Sequence, residues 1–310
     1  MTTHPAPLPA PLYQGSVNTW ECDDGGHLNV RFHLERAFSG LAHMAAALGL
    51  PRAFTQSANS TLVPLELHAR FLKEARPGAP LIMHGGVAEL GDSNARLVLD
   101  MRHGDGAPSS CFTLKVAHAE TRGLRVFPWS ERTRAAAAKL AVDIPVHGQP
   151  RSIDLSAAPA DASITRAREL GAQRIGGAFV TPDQCDAFGR LRAEHIVGRI
   201  SDSVPNLLGR WRQAAASDGV SPAGAVVEAR VIYRRLPRAG ELIEVHSGIA
   251  EIGDKTLRIV HWLIDPETGG CWASMEAVAL TFDTVTRKAL TPSAEARKRV
   301  QELVVKGLAV

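Results

Sequence analysis

Apolar residues return at helical spacing along one early stretch: Val30, Leu34, Ala37, Phe38, Leu41, Met44, Ala45 and Leu48. Steps of three and four residues place them on one helix face, and Gly49 supplies a stop. A second stretch repeats the pattern with Val197, Ile200, Val204, Leu207, Leu208 and Trp211. Pro205 falls inside it and predicts a kink or one interrupted turn. After each helix the period shortens to alternation, with β-branched runs separated by turn residues. Gly91-Asp92-Ser93-Asn94 is matched by Gly253-Asp254-Lys255-Thr256, and His103-Gly104-Asp105-Gly106 by Asp265-Pro266-Glu267-Thr268-Gly269-Gly270. Strands joined by such short turns are antiparallel. A long helix followed by an antiparallel meander predicts an α+β unit, with the helix on one face of a curved sheet.

The unit occurs twice. Cys22-Asp23-Asp24-Gly25-Gly26-His27-Leu28 and Cys185-Asp186-Ala187-Phe188-Gly189-Arg190-Leu191 share the phrase Cys-Asp-x-x-Gly-x-Leu, and each precedes one of the helices. Ala88-Glu89-Leu90-Gly91-Asp92 faces Ala250-Glu251-Ile252-Gly253-Asp254, and Leu65 to Phe71 faces Val227 to Tyr233, at almost the same offset. A period this long marks a duplicated domain. The expected organisation is a disordered lead-in over 1–14, a first unit over 15–140, a linker over 141–172 and a second unit over 173–310. Within the connector, Ser130-Glu131-Arg132-Thr133 begins a short Ala-rich helix, and Asp143 to Ala162 reads as extended chain long enough to cross the first unit.

Composition adds little to this picture and removes several alternatives. At 45% hydrophobic and 22% charged over 310 residues the chain can bury a core in each half. A net charge of +3 gives no clustered basic face for nucleic acid. Four cysteines without metal or CxxC spacing point to a reducing, cytoplasmic setting, and no apolar run is long enough for a membrane helix. There is no GxSxG elbow, P-loop, dinucleotide fingerprint or HExxH, so no metal and no cofactor is expected.

The remaining chemistry lies in the repeated phrase. An Asp ahead of a helix is most often an N-cap. A helix N-terminus also carries unpaired N–H groups and partial positive charge, which suit a developing oxyanion. Asn29 is read as a cap or a substrate contact. Glu35 reads as a surface partner of Arg31, Glu194 and His195 as solvent-exposed, and Arg230, Arg234, Arg235 and Arg238 as a solvated strand edge or a phosphate site.

The segments WECDDGGHLNVRFHLERA and ELHARFLKEARPGAPL resemble the hotdog-fold thioesterases, in the 4-hydroxybenzoyl-CoA thioesterase-like branch. The resemblance implies a double hotdog: two tandem units forming a pseudo-dimer with sheets joined edge to edge, and acyl-CoA sites between the units. It assigns Asp23, His27 and Asp186 to catalysis, and Gly26, Asn29, Gly189 and Arg190 to substrate contact, the glycines through close backbone approach. A carboxylate there would activate water or attack the acyl carbon. The second copy carries Arg190 where the family has His, so the Asp23 site is expected to be the working one. The implied partners are an acyl-CoA substrate, with coenzyme A part of the substrate, and further copies of the chain, with no nucleic acid and no membrane. The alternatives are a hotdog hydratase or dehydratase, whose Asp-x4-Asn-Pro-x-His pattern is not found, and a non-catalytic acyl-CoA binder.

Overall fold

The computed structural model describes residues 10–215, 222–283, 288–291 and 293–310. Ten strands form one sheet in the order β1-β3-β4-β5-β2-β7-β10-β9-β8-β6. The first unit supplies β1 (Tyr13–Ser16), β2 (Ser60–Phe71), β3 (Pro80–Leu90), β4 (Asn94–His103) and β5 (Pro108–Glu120). The second supplies β6 (Gln173–Phe179), β7 (Pro222–Tyr233), β8 (Leu242–Ile252), β9 (Thr256–Ile264) and β10 (Cys271–Asp283). The halves join where β2 and β7 run antiparallel, with Glu66 opposite Ile232 and Arg70 opposite Glu228. Both edge strands are short, which limits the open backbone available for edge pairing.

Two long helices lie against one face of this sheet, α1 (Val30–Ala47) and α4 (Glu194–Ala215). The predicted apolar stripe of α1 is its buried face: Leu34, Ala37, Leu41, Met44, Ala45 and Leu48 are all nearly inaccessible. Removing the leucine and methionine side chains among these from water contributes about 1.5–3 kcal/mol each. Gly49 takes a left-handed φ of +86° just past the helix, a conformation that favours glycine. The α4 helix continues through Pro205 without a break, so the expected interruption does not occur. Its packing residues Ile196, Val197, Ile200, Leu207 and Trp211 join those of α1 in one core that runs through both units. Among the described residues, no helix is long and apolar enough to cross a membrane.

The repeated phrase has a structural reason. Each copy folds back on itself, with a bridge from Cys22 to Leu28 in one and from Cys185 to Leu191 in the other. Asp23 Oδ1 accepts from the Gly25 and His27 N–H groups at 2.9 and 3.1 Å; Asp186 Oδ1 accepts from Phe188 and Arg190 at 2.8 and 3.0 Å. These are turns closed by a side-chain carboxylate. Gly26 and Gly189 have φ of +73° and +75°. An arginine ties each turn region to its helix: buried Arg36 reaches Glu21 and the Ser16 carbonyl, and half-buried Arg199 reaches Gln184 and the Phe179 carbonyl.

The lead-in and the connector both contain ordered elements. Within the expected lead-in, Leu12 is buried and its N–H donates to the Met83 carbonyl, and Tyr13 opens β1; residues 1–9 of that lead-in lie outside the described residues. Helix α2 (Glu131–Lys139) starts at Ser130, whose hydroxyl accepts from the Thr133 N–H. The extended segment then crosses the sheet face opposite α1 and α4, at the β2–β7 seam. Glu228, which is buried, accepts from the Arg151 and Ser152 N–H groups at 2.9 and 2.8 Å and lies 2.9 Å from His68 Nε2. Arg230 donates to the carbonyls of Asp154, Leu155 and Ala157 and pairs with Glu66. Arg230 is therefore not on a solvated edge: it is 2% exposed on a central strand. A short helix, α3 (Ile164–Leu170), closes the segment expected to be linker. The last helix is α5 (Ala294–Gln301).

Candidate active site

Helices α1 and α4 pack against each other across the seam, and each leaves a cleft beside it. The first cleft, about 890 Å³, is lined by Asp23, His27, Asn29, Val30 and Glu74 from the first unit and by Ser201, Arg212 and β7 residues 223–227 from the second. The second, about 610 Å³, takes Asp186, Arg190 and Glu194 from the second unit, and Glu35, Phe38 and β2 residues 61–65 from the first. Each cleft therefore pairs the turn of one unit with the helix and strand of the other.

In the first cleft the structure brings Asp23, His27 and Asn29 together. Asp23 precedes α1 by seven residues, so it does not cap the helix. Asn29 does: its Oδ1 accepts from the Arg31 N–H at 2.9 Å, and from the Ser201 hydroxyl of α4 at 3.3 Å. That oxygen is thereby committed to the cap and to the contact between units. The Phe32 and His33 N–H groups go to the Asn29 carbonyl, and the Val30 N–H begins the turn beside the cleft. His27 is buried, and its Nε2 lies 3.0 Å from a Glu74 carboxylate oxygen. Glu74 is the group that motif reading missed as a site residue, although it closes the aromatic-Leu-x-Glu phrase Phe71-Leu72-Lys73-Glu74. Only the fold shows that this phrase returns beside the turn.

A Cβ built at Gly26 or Gly189 meets no protein atom within 4 Å, so within the fold itself the positive φ is what favours glycine at both positions. The crowded glycine is Gly25, whose added Cβ would stand 3.2 Å from His27 Nδ1.

The second cleft is chemically different. Arg190 is buried, 3.4 Å from Asp186 and 4.8 Å from the centre of the Phe188 ring. The position matching Glu74 is Leu236. Glu194 and His195, expected to be exposed, are 5% and 3% exposed on the first turn of α4, which packs beside α1. Burial pushes the Glu194 carboxyl up to about 7, against the pull of Arg192 at 3.3 Å. Glu35 lines this cleft, with no ion pair to Arg31 among the described ones.

Two further groups of polar side chains lie outside both clefts. His68 is on the far face of the sheet with Glu228, where it lines neither cleft. Asp100, Cys111 and His147 bring possible ligand atoms within 4.8 Å of one another, a grouping invisible in sequence spacing. Asp100 there is already bound by Arg102 at 2.8 Å and His147 at 2.9 Å.

Comparison with known proteins follows the duplication. A model of the thioesterase-like superfamily matches residues 17–137 and again 180–300. The chain belongs to the thioesterase-like superfamily. Among solved structures, a putative oleoyl thioesterase from Lactobacillus plantarum aligns over 87% of this chain and 95% of its own, with a TM-score of 0.65 and 16% identity. An acyl-ACP thioesterase from Bacteroides thetaiotaomicron aligns over 86% and 96%, with 0.62 and 12%. The 12:0-ACP thioesterase from Umbellularia californica aligns over 87% and 93%, with 0.66 and 13%. These likenesses establish the double hotdog fold. A search of curated proteins finds no match. The superfamily and the fold together set the reaction class as thioester hydrolysis, with the acyl carrier left to the site itself.

Proposed function

We propose that this protein hydrolyses an acyl-CoA thioester to the free acid and CoA in the first cleft, with Asp23 and His27 acting on the reacting centre. The observation that carries the reading is the convergence of Asp23, His27 and Glu74 in a cleft closed by the other unit. The thioester carbonyl would sit by the start of α1, where the Val30 N–H and the helix dipole favour the negative oxygen of the tetrahedral intermediate. Asp23, held by two backbone N–H groups, either takes a proton from the attacking water or attacks the acyl carbon itself. His27, oriented by Glu74, is placed to pass a proton to the departing thiolate. No cofactor takes part.

Arg76 and Arg212 line the same cleft and are exposed. Guanidinium groups bind phosphate well, and CoA offers a pyrophosphate and a 3′-phosphate. Two of the structural neighbours are described as acyl-ACP thioesterases, and an acyl carrier protein is the alternative carrier. The test is thiol release from acyl-CoA and acyl-ACP panels by the wild type, Asp23→Asn, Asp186→Asn and the double variant. A large loss with Asp23→Asn and little with Asp186→Asn is expected. Full activity in the double variant rules out the carboxylate role; hydrolysis of acyl-ACP alone rules out CoA as the carrier.

A further inference from the structure

The second cleft departs from the first in concert. Tyr233 stands where the first unit has Phe71, and Glu194 where it has Arg31, while Arg190 and Leu236 replace His27 and Glu74. The losses remove a proton-transfer pair. The gains add one hydroxyl, at Tyr233, and exchange a cation for a carboxyl at Glu194. The Tyr233 hydroxyl is buried with no hydrogen-bond partner among the described residues, although the residue lines the cleft. A buried phenol left unpaired costs free energy that a ligand acceptor would recover. Glu194 lines the same cleft, and its charge acts on Tyr233. The surroundings are apolar: Phe38 meets the Tyr233 ring edge-on at 6.3 Å, and Leu41, Leu62 and Leu65 continue the wall. The volume of about 610 Å³ falls in the usual range for small-molecule sites.

We infer that the second cleft binds an acyl group without hydrolysing it, the chain lying on the apolar wall and its carbonyl oxygen accepting from the Tyr233 hydroxyl. Phe71 in the first cleft has no such donor. Arg190, tied to Asp186 and Phe188, occupies the position from which His27 acts in the first cleft. The acyl class rests on the thioester reading above. The occupant is therefore a free fatty acid or an acyl thioester, which share the chain and the carbonyl.

The experiment is a fluorescence titration of the full chain with 11-(dansylamino)undecanoic acid, displaced by dodecanoic acid or by 2-oxotridecyl-CoA, a ketone that cannot be hydrolysed. Ala42 lines the cleft from the exposed side of α1. Ala42→Trp should fill the space and abolish one class of binding sites. Tyr233→Phe should weaken that class about five- to tenfold, the loss of one hydrogen bond, without lowering the melting temperature. Displacement by either competitor supports the site, and the tighter one names the source. Wild-type affinity and stoichiometry in both variants overturns the inference. Absence of thiol release by the wild-type protein would sink the hydrolytic reading and leave these binding data standing, so the two fail separately.

Discussion

His27 Nε2 stands 3.0 Å from the Glu74 carboxylate, and the matched positions of the second unit hold Arg190 and Leu236. One half of the duplication thus carries a histidine–carboxylate pair that the other has lost. General acid–base groups contribute about 10²- to 10⁴-fold to rate. His27→Gln should therefore lower kcat by about two orders of magnitude. Glu74→Gln should lower it about tenfold, and the double variant should be no worse than His27→Gln, because the two act as one unit. Thiol-release kinetics on the three variants check this; additive losses would show that Glu74 acts independently.

Gly26 and Gly189 hold left-handed backbone in the two turns with open space around them. Gly26→Ala and Gly189→Ala should each destabilise by about 1–2 kcal/mol from backbone strain alone. Asn, which tolerates this region, should cost less. Urea unfolding of the Ala and Asn variants checks the order.

Glu228 fixes the crossing segment through two backbone N–H groups and His68. Its removal leaves those donors and a buried imidazole unpaired. Glu228→Ala should cost about 3–5 kcal/mol and open residues 143–162 to protease before the rest of the chain. Limited proteolysis followed by mass analysis reads both.

The Glu194 carboxyl is raised to about 7 by burial, from 4.5, with Arg192, Arg31 and Glu35 the charged groups beside it. Between pH 4.5 and 7 the folded chain keeps a proton that the unfolded chain releases. Stability from this group is present below 4.5 and is lost as pH rises to 7, by about 3 kcal/mol in total. The difference between wild type and Glu194→Gln should therefore drift against the wild type across that window. Denaturant unfolding at pH 4.5, 5.5 and 7 measures it, and a constant difference contradicts it.

Buried His33 and His261 titrate the other way. Burial lowers each from 6.5 to about 3; His33 lies 3.2 Å from the Ser110 hydroxyl and His261 2.7 Å from that of Ser247. The unfolded chain binds their protons first, so stability is full above 6.5 and falls as pH drops toward 3. His261→Asn should flatten the acid limb of the stability profile, read by thermal unfolding from pH 7 to 4.

The fold was legible because duplication wrote it twice. The α1 stripe from Leu34 to Leu48, the matched turns at Gly91 and Gly253 and the Ser130 cap are local patterns, and local geometry decided them. The site was legible only in part. Asp23, His27 and Asn29 lie within seven residues of one another, but Asp23 closes a turn and Asn29 caps α1, roles that depend on which N–H groups each oxygen meets. Burial is hidden from the sequence wherever a distant element supplies the cover. Arg230 reads as an edge charge until the crossing segment lies over it, and Glu194 as a surface acid until α1 packs against it.

By itself the sequence determined the two units, their α+β pattern and the turn that opens each cleft, since helical period, alternation and positive-φ glycines act over a few residues. Only tertiary structure decided that β2 meets β7, that Glu74 comes back to His27, and that each turn faces the helix of the other unit. Those contacts join residues from about 47 to 172 apart along the chain, and burial, the charge held there and the shape of each cleft follow from them.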